Sequence, residues 1–318
     1  MRSINKHLLI FSFFTARFCF ADYAWIPDYH HLLIKASGEY FTSSENFGSD
    51  GVKSEFTNSG QPATFNEYRF SLEGEYGFAK NWSAFLKIPF VSGLIDSAGG
   101  TALSGSGLGD LNLGFKWNFN PQRPLITLEV FSHLPLYSTS TLTLDQLALG
   151  DGSIDVGGKL HLGYRFNRHF AAGISPGFIA RTSGYSSAFV LSAFGGASWN
   201  PIYFRLMGEN YTSLDKPTSI STESANSEIG SGGTFARLSQ NPDHFSLGAK
   251  IGYIASRKYR IEGSMMWSLM GSYAPAFFRG GINIIGDFDL YEAPPPKTKI
   301  KEIPFETEQT PYVESEDE

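Results

Sequence analysis

Charged side chains in this 318-residue chain fall at every second position within short runs, with acids interleaved among bases. Arg69, Glu73 and Glu75 share one parity, as do Lys159, His161 and Arg165, and again Arg260 and Glu262. Lys35, Glu39, Lys87, Lys116, Glu129, Arg181, Arg205, Glu209, Lys250 and Arg279 hold equivalent places in other runs. On an extended chain, each such set projects to a single face. Opposite charges on neighbouring segments can then pair structurally, Glu129 with Lys159 or His161 being one case. Alternatively, the same groups line a passage of both signs, which selects weakly by charge and admits small polar or amphipathic solutes.

Catalysis finds less support. Ser132-His133 is the nearest nucleophile–base pair, of the kind that a lipid-modifying enzyme needs where its substrate arrives. Adjacent strand residues point to opposite faces, so these two cannot hydrogen-bond to each other. His161 could meet His133 or Glu129, but on the polar face, away from lipid. His30-His31 offers two metal ligands and no third at useful spacing. No catalytic residue, metal or cofactor is expected.

The segments that carry these faces read as strands. In Gly107–Phe119, Leu111, Leu113, Phe115, Trp117 and Phe119 alternate with Asp110, Asn112, Gly114, Lys116 and Asn118. One face is wholly apolar and the other wholly polar. Eleven further runs repeat the pattern. They are Leu32–Tyr40, Tyr68–Phe78, Trp82–Phe90, Ile126–Leu134, Ile154–Phe166, Phe170–Phe178, Phe189–Trp199, Ile202–Leu206, Phe245–Tyr253, Ile261–Leu269 and Phe278–Leu290. Phe194 breaks the polar face of its run. No stretch approaches 18 consecutive apolar residues, which excludes a transmembrane helix. With 18% charged and 15% aromatic residues, the expected fold is all-β: a transmembrane antiparallel up-and-down β-barrel of about twelve strands over residues 22–291.

The connections alternate in length. Ala79–Asn81, Asn120–Pro124, Asn167–His169, Asn200-Pro201 and Ala255–Lys258 are tight turns of Asn, Pro and small residues. The intervening stretches Thr42–Phe65, Ser92–Ser106, Ser138–Ser153 and Leu214–Asp243 read as long Gly/Ser/Thr-rich loops, while those near Ser183-Gly184 and Gly271-Ser272 are short. Short turns therefore gather at one rim, as in a bacterial outer-membrane barrel with both termini in the periplasm. Trp82, Trp117 and Trp199 fall at that rim, where an indole sits at the headgroup level of outer-membrane lipid. A soluble sandwich or lipocalin-like barrel would instead turn the aromatic face into a core. The export signal and the aromatic rim favour the membrane.

Residues 1–21 read as a secretory signal peptide: Arg2 and Lys6 precede an apolar Leu8–Phe14, and Cys19-Phe20-Ala21 offers a cleavage site. Cys19 is the only cysteine, so a mature chain would hold no thiol. A lipoprotein reading lacks small residues before that cysteine. Cleavage removes three basic and no acidic residues, which takes the net charge from −6 to −9. Residues 292–318 carry three prolines in a row and end in an acidic run, and are expected to be a disordered periplasmic tail. That tail could reach a periplasmic partner, with the barrel as its anchor. Nothing resembles a nucleic-acid-binding surface.

Gly107-Leu108-Gly109-Asp110-Leu111, followed by Leu113-Gly114-Phe115-Lys116, resembles the Gly-Leu-Gly-Asp-Leu strand of the outer-membrane barrel family described as "MetA-pathway of phenol degradation". Leu134-Pro135 matches the start of that family's Leu-Pro-Thr-Gly element, though Leu136-Tyr137 follows here, and Asp155-Val156-Gly157-Gly158 fits a later Gly-rich strand. The resemblance covers Glu67 to Trp199. It implies an outer-membrane transporter or channel, hence passive uptake of small solutes, hydrophobic or aromatic ones among them.

Overall fold

The computed structural model describes residues 25–58, 61–97, 102–137, 146–150, 152–182, 185–215 and 242–291. The expected signal peptide (1–21) and tail (292–318) lie outside the described residues. Fifteen strands follow one another, with no helix among the described residues. They are β1 (His31–Phe47), β2 (Lys53–Glu55), β3 (Thr57–Asn58), β4 (Gln61–Ala79), β5 (Trp82–Ser97), β6 (Leu103–Leu108), β7 (Asp110–Asn120) and β8 (Leu125–Pro135), then β9 (Asp155–Arg165), β10 (Phe170–Arg181), β11 (Ala188–Trp199), β12 (Ile202–Ser213), β13 (Asp243–Ile254), β14 (Tyr259–Ser272) and β15 (Ala274–Asp289). Setting aside the short β2, β3 and β6, twelve strands form one antiparallel up-and-down sheet.

The sheet closes because β1 pairs on both edges. Glu39 lies opposite Gly281 of β15 on one side and Arg69 of β4 on the other. No barrel strand is left with a bare edge. The tight turns fall where Asn, Pro and small residues predict them, between β4 and β5, β7 and β8, β9 and β10, β11 and β12, and β13 and β14. Asn81 takes a left-handed conformation (φ 68°) in the first of these turns, one that Asn tolerates well.

The barrel is inverted relative to a soluble one. Leu206 is 58% exposed while its neighbour Arg205 is 1% exposed, and Phe70 and Leu72 stand out beside the buried Ser71. An apolar exterior around a polar interior is stable only against lipid. Trp82 and Trp117 are register partners at the short-turn rim, and their rings stack with centroids 5.4 Å apart. Trp199 stands at the same rim, edge-on to Phe170 at 5.9 Å.

At the opposite rim the strands run further than the alternation suggests. The stretches 42–65 and 92–106, expected as loops, hold the ends of β1, β4 and β5, together with β2, β3 and β6. The cause is apolar burial. Phe56, Ala63, Phe65, Ile95, Leu103 and Leu147 form a cluster with Phe41 against it, and the extended ladder places them there. Beyond Lys87, β5 leaves β7 and pairs with β6 instead, from Phe90 to Ile95. The run Ile202–Leu206 likewise continues to Ser213 as β12.

Ahead of β1, residues 25–30 enter the short-turn mouth. Ile26 and Pro27 are buried, and the His30 N–H donates to the Gly77 carbonyl at 2.8 Å. Gly77 has the same inward parity as Glu75. A Cβ there would run into the Asp28 carbonyl oxygen, so the segment lies directly against the inner wall.

The inversion is testable at one outward position. Leu72→Arg should cost about 2–4 kcal/mol near the bilayer midplane, whereas Leu72→Phe should stay within about 0.5 kcal/mol. Urea unfolding of both variants in lipid vesicles reads the difference.

Candidate functional site

The interior of the barrel is the candidate site, and its two halves differ. In the short-turn half, charges are buried and tightly paired. Glu75 on β4 accepts from Lys116 Nζ at 2.8 Å and from Ser83 Oγ at 2.6 Å. Lys116 in turn stands opposite Glu129 in the β7–β8 register. Glu129 Oε2 lies 3.1 Å from His161 Nε2, and His161 Nδ1 lies 2.9 Å from Ser175 Oγ. With the register pairing of Lys116 and Glu129 as the link, these groups stand in a row from β4 to β10.

Of the two partners foreseen for Glu129, the histidine is the one within hydrogen-bond distance. Lys159 is the residue directly opposite Glu129 on β9, yet its ammonium lies over the Phe131 ring, 5.1 Å from the centroid. A cation over an aromatic face is itself stabilising. Across the barrel, Glu262 is 1% exposed and accepts from Tyr203 Oη. Lys250 Nζ lies 3.1 Å from it and Arg260 Nε 3.8 Å. Arg205, opposite Lys250 in register, covers the Phe194 ring at 4.9 Å.

Nearer the long-loop rim, the pairs vary more in distance and exposure. Lys35 and Glu73 face each other across β1 and β4 with 3.5 Å between charged atoms. Arg69 Nη2 donates to Glu67 Oε1 at 3.0 Å. Arg279 Nη2 donates to Glu209 Oε2 at 3.2 Å, with side-chain exposures of 38% and 34%. Arg181 lies 3.5 Å from Asp155, which also pairs with His133 at 3.6 Å. Lys87 makes no ion pair among the described residues, and Glu39 stands within its electrostatic reach. Arg165 is a different case: its guanidinium donates to the Asn167 and Arg168 carbonyls, so it braces a turn at the rim.

The reading of a wholly polar inner face needs correction. Phe131, Ile179 and Val190 form one buried inward cluster with Phe85 and Tyr211 against it, and Phe194, Met207 and Met266 form another with Phe277. Each shares parity with a polar neighbour: Phe131 with Glu129, Met207 with Arg205, Met266 with Glu262. That parity was the available signal. Phe194, seen as a break in its face, is the inward member of such a pair.

Ser132 and His133 act separately. Ser132 Oγ donates to the Asp155 carbonyl, while His133 reaches the Asp155 carboxylate. His31 is held by Asp287 at 2.8 Å.

Breaking one member of the buried pairs should be severe. Lys116→Met alone leaves Glu75 buried without its cation and should cost about 3–5 kcal/mol. The double variant Lys116→Met/Glu75→Gln should recover most of that loss, as unfolding in vesicles will read.

Comparison with solved structures places this architecture among known barrels. The "COG4313 outer membrane channel from Pseudomonas putida F1" superposes with a TM-score of 0.63 at 14% identity, covering 84% of this chain and 98% of that one. The "CymD monoaromatic hydrocarbon channel" gives 0.47 at 8% identity over 82% and 89% of the two chains. A NanC porin gives 0.45 at 9% over 78% and 98%. No protein-family model matches the chain. No curated protein matches it either. The resemblance to the "MetA-pathway of phenol degradation" family therefore stands on the Gly107–Leu111 motif and its neighbours. What the first likeness shows is the fold: this chain is a closed antiparallel barrel of twelve long strands, similar in architecture to that structure.

Proposed function

We propose that the chain is a passive outer-membrane channel for small solutes, hydrophobic and aromatic ones among them. The observation that carries this reading is the mixed interior of an inverted barrel. Paired charges of both signs and inward aromatic clusters share one lumen, a lining suited to amphipathic molecules. Within this reading Arg69, Glu73, Lys87, Glu209 and Arg279 border the path, while the tighter pairs of Lys116, Glu129, His161, Arg205, Lys250, Arg260 and Glu262 narrow it. Trp82, Trp117 and Trp199 mark the headgroup level of the inner leaflet, with the short turns and both termini periplasmic.

Residues 25–30 supply the test. The segment sits against Gly77 at the short-turn mouth, where it takes up part of the opening. In planar bilayers the refolded mature protein should show discrete openings. Gly77→Val should expel the segment and raise the unit conductance. Silence from inserted barrels of both forms would reject the channel reading.

A further inference from the structure

A cavity of about 240 Å³ opens in the interior near the long-loop rim, walled by β13, β15, β1 and β4. It is larger than the roughly 150 Å³ apolar cavity that takes up a benzene. Its floor is aromatic: the Phe41 and Phe277 rings stack with centroids 4.9 Å apart, and His244 meets Phe277 edge-on at 6.0 Å. Two guanidiniums border this floor, because Phe41 lies opposite Arg279 in register and the neighbouring Glu39 lies opposite Arg69.

Both arginines keep donors in reserve. Arg69 bonds to Glu67 through Nη2 and its Nε has no partner. The contacts of Arg279, to Glu209 Oε2 and to Met266 Sδ, both run through Nη2. A guanidinium presents five donors in a fixed fork, so each has geometry left for a carboxylate. Glu39, for its part, accepts no hydrogen bond from a described residue and is left to accept one from a ligand. Lys35 and Lys87 bring the nearby cations to four, matching the carboxylates of Glu39, Glu67, Glu73 and Glu209. Net charge around the cavity is therefore balanced.

We infer that this cavity is a binding site for a hydroxylated aromatic carboxylate, the inference resting on the channel reading only for its role in transport. The ring lies on Phe41 and Phe277, the carboxylate takes the spare donors of Arg69 and Arg279, and the ring hydroxyl donates to Glu39. Aromatic hydrocarbons lacking the acid leave both forks unused.

Calorimetric titration of the detergent-solubilised mature protein at neutral pH tests this. The probes are 4-hydroxybenzoate, its methyl ester, benzoate and phenol. The acid should bind at least about tenfold more tightly than its ester or phenol, the loss expected for a charge-assisted hydrogen bond. Arg279→Gln and Arg69→Gln should each weaken the acid by about the same factor, with Arg279→Lys falling between. Glu39→Gln should weaken 4-hydroxybenzoate and leave benzoate unchanged. Heat-modified mobility in gels establishes that each variant folds. Equal affinity for acid and ester, or arginine variants that bind the acid as wild type does, would overturn the site. The two readings separate cleanly: a conducting barrel that ignores the acid overturns the site alone, and a silent barrel that binds it supports the site and removes the channel.

Discussion

The double pairing of β1 is the interaction on which the rest of the molecule depends. In hydrocarbon, an unpaired backbone N–H or C=O costs several kilocalories per mole, because no water is present to replace the missing partner. A sheet with two free edges is therefore excluded. Here β1 meets β15 along one edge and β4 along the other through long registers, the first shifting between Ser43 and Glu45. Once the ring is closed, every strand must turn one face to lipid and the other inward. The alternation of side chains then decides what the inside contains.

Closure also explains why so many charges can be kept inside. An isolated buried ion is very costly, so each inward charge in the tight half has an opposite charge or an aromatic face beside it. Glu75 holds Lys116, Glu262 holds Lys250, and Glu129 holds His161. Lys159 and Arg205 lie over Phe131 and Phe194, so the aromatic residues inside are partners of the cations as well as filling. The apolar clusters and the ion pairs are one packing solution.

Much of this was legible from parity alone. All twelve barrel strands, their tight turns and the outward position of the tryptophans follow from alternation and from Asn-Pro punctuation. Three things did not follow. The ends of β1, β4 and β5 near the long-loop rim read as loops, because Ser, Gly and Thr dilute the alternation there. What extends those strands is contact among Phe56, Phe65, Ile95 and Leu147, residues far apart in the chain. The choice of His161 over Lys159 by Glu129 was equally out of reach. Both have the right parity, and only the position of the Phe131 ring separates them. Lastly, inward aromatics such as Phe131 were assigned no role, since two apolar neighbours on opposite faces look like noise in a period-two pattern.

The two halves of the interior differ in how firmly their charges are held. In the short-turn half, Lys116, Glu75, Lys250 and Glu262 are all nearly sealed from solvent, and residues 25–30 add their own bulk at that mouth. Such pairs are costly to break singly, so this half resists deformation. In the long-loop half, Arg69, Glu209 and Arg279 keep over a third of their side-chain surface exposed, and stacked rings line the wall between them. Exposed charges are screened and re-pair at little cost. On the proposed channel function, a solute arriving from the long-loop side would meet an adaptable surface first and a rigid one second. Selection by ring and charge would then come before the tightly paired section, and the free energy of moving through that section would be set by how far its ion pairs must open.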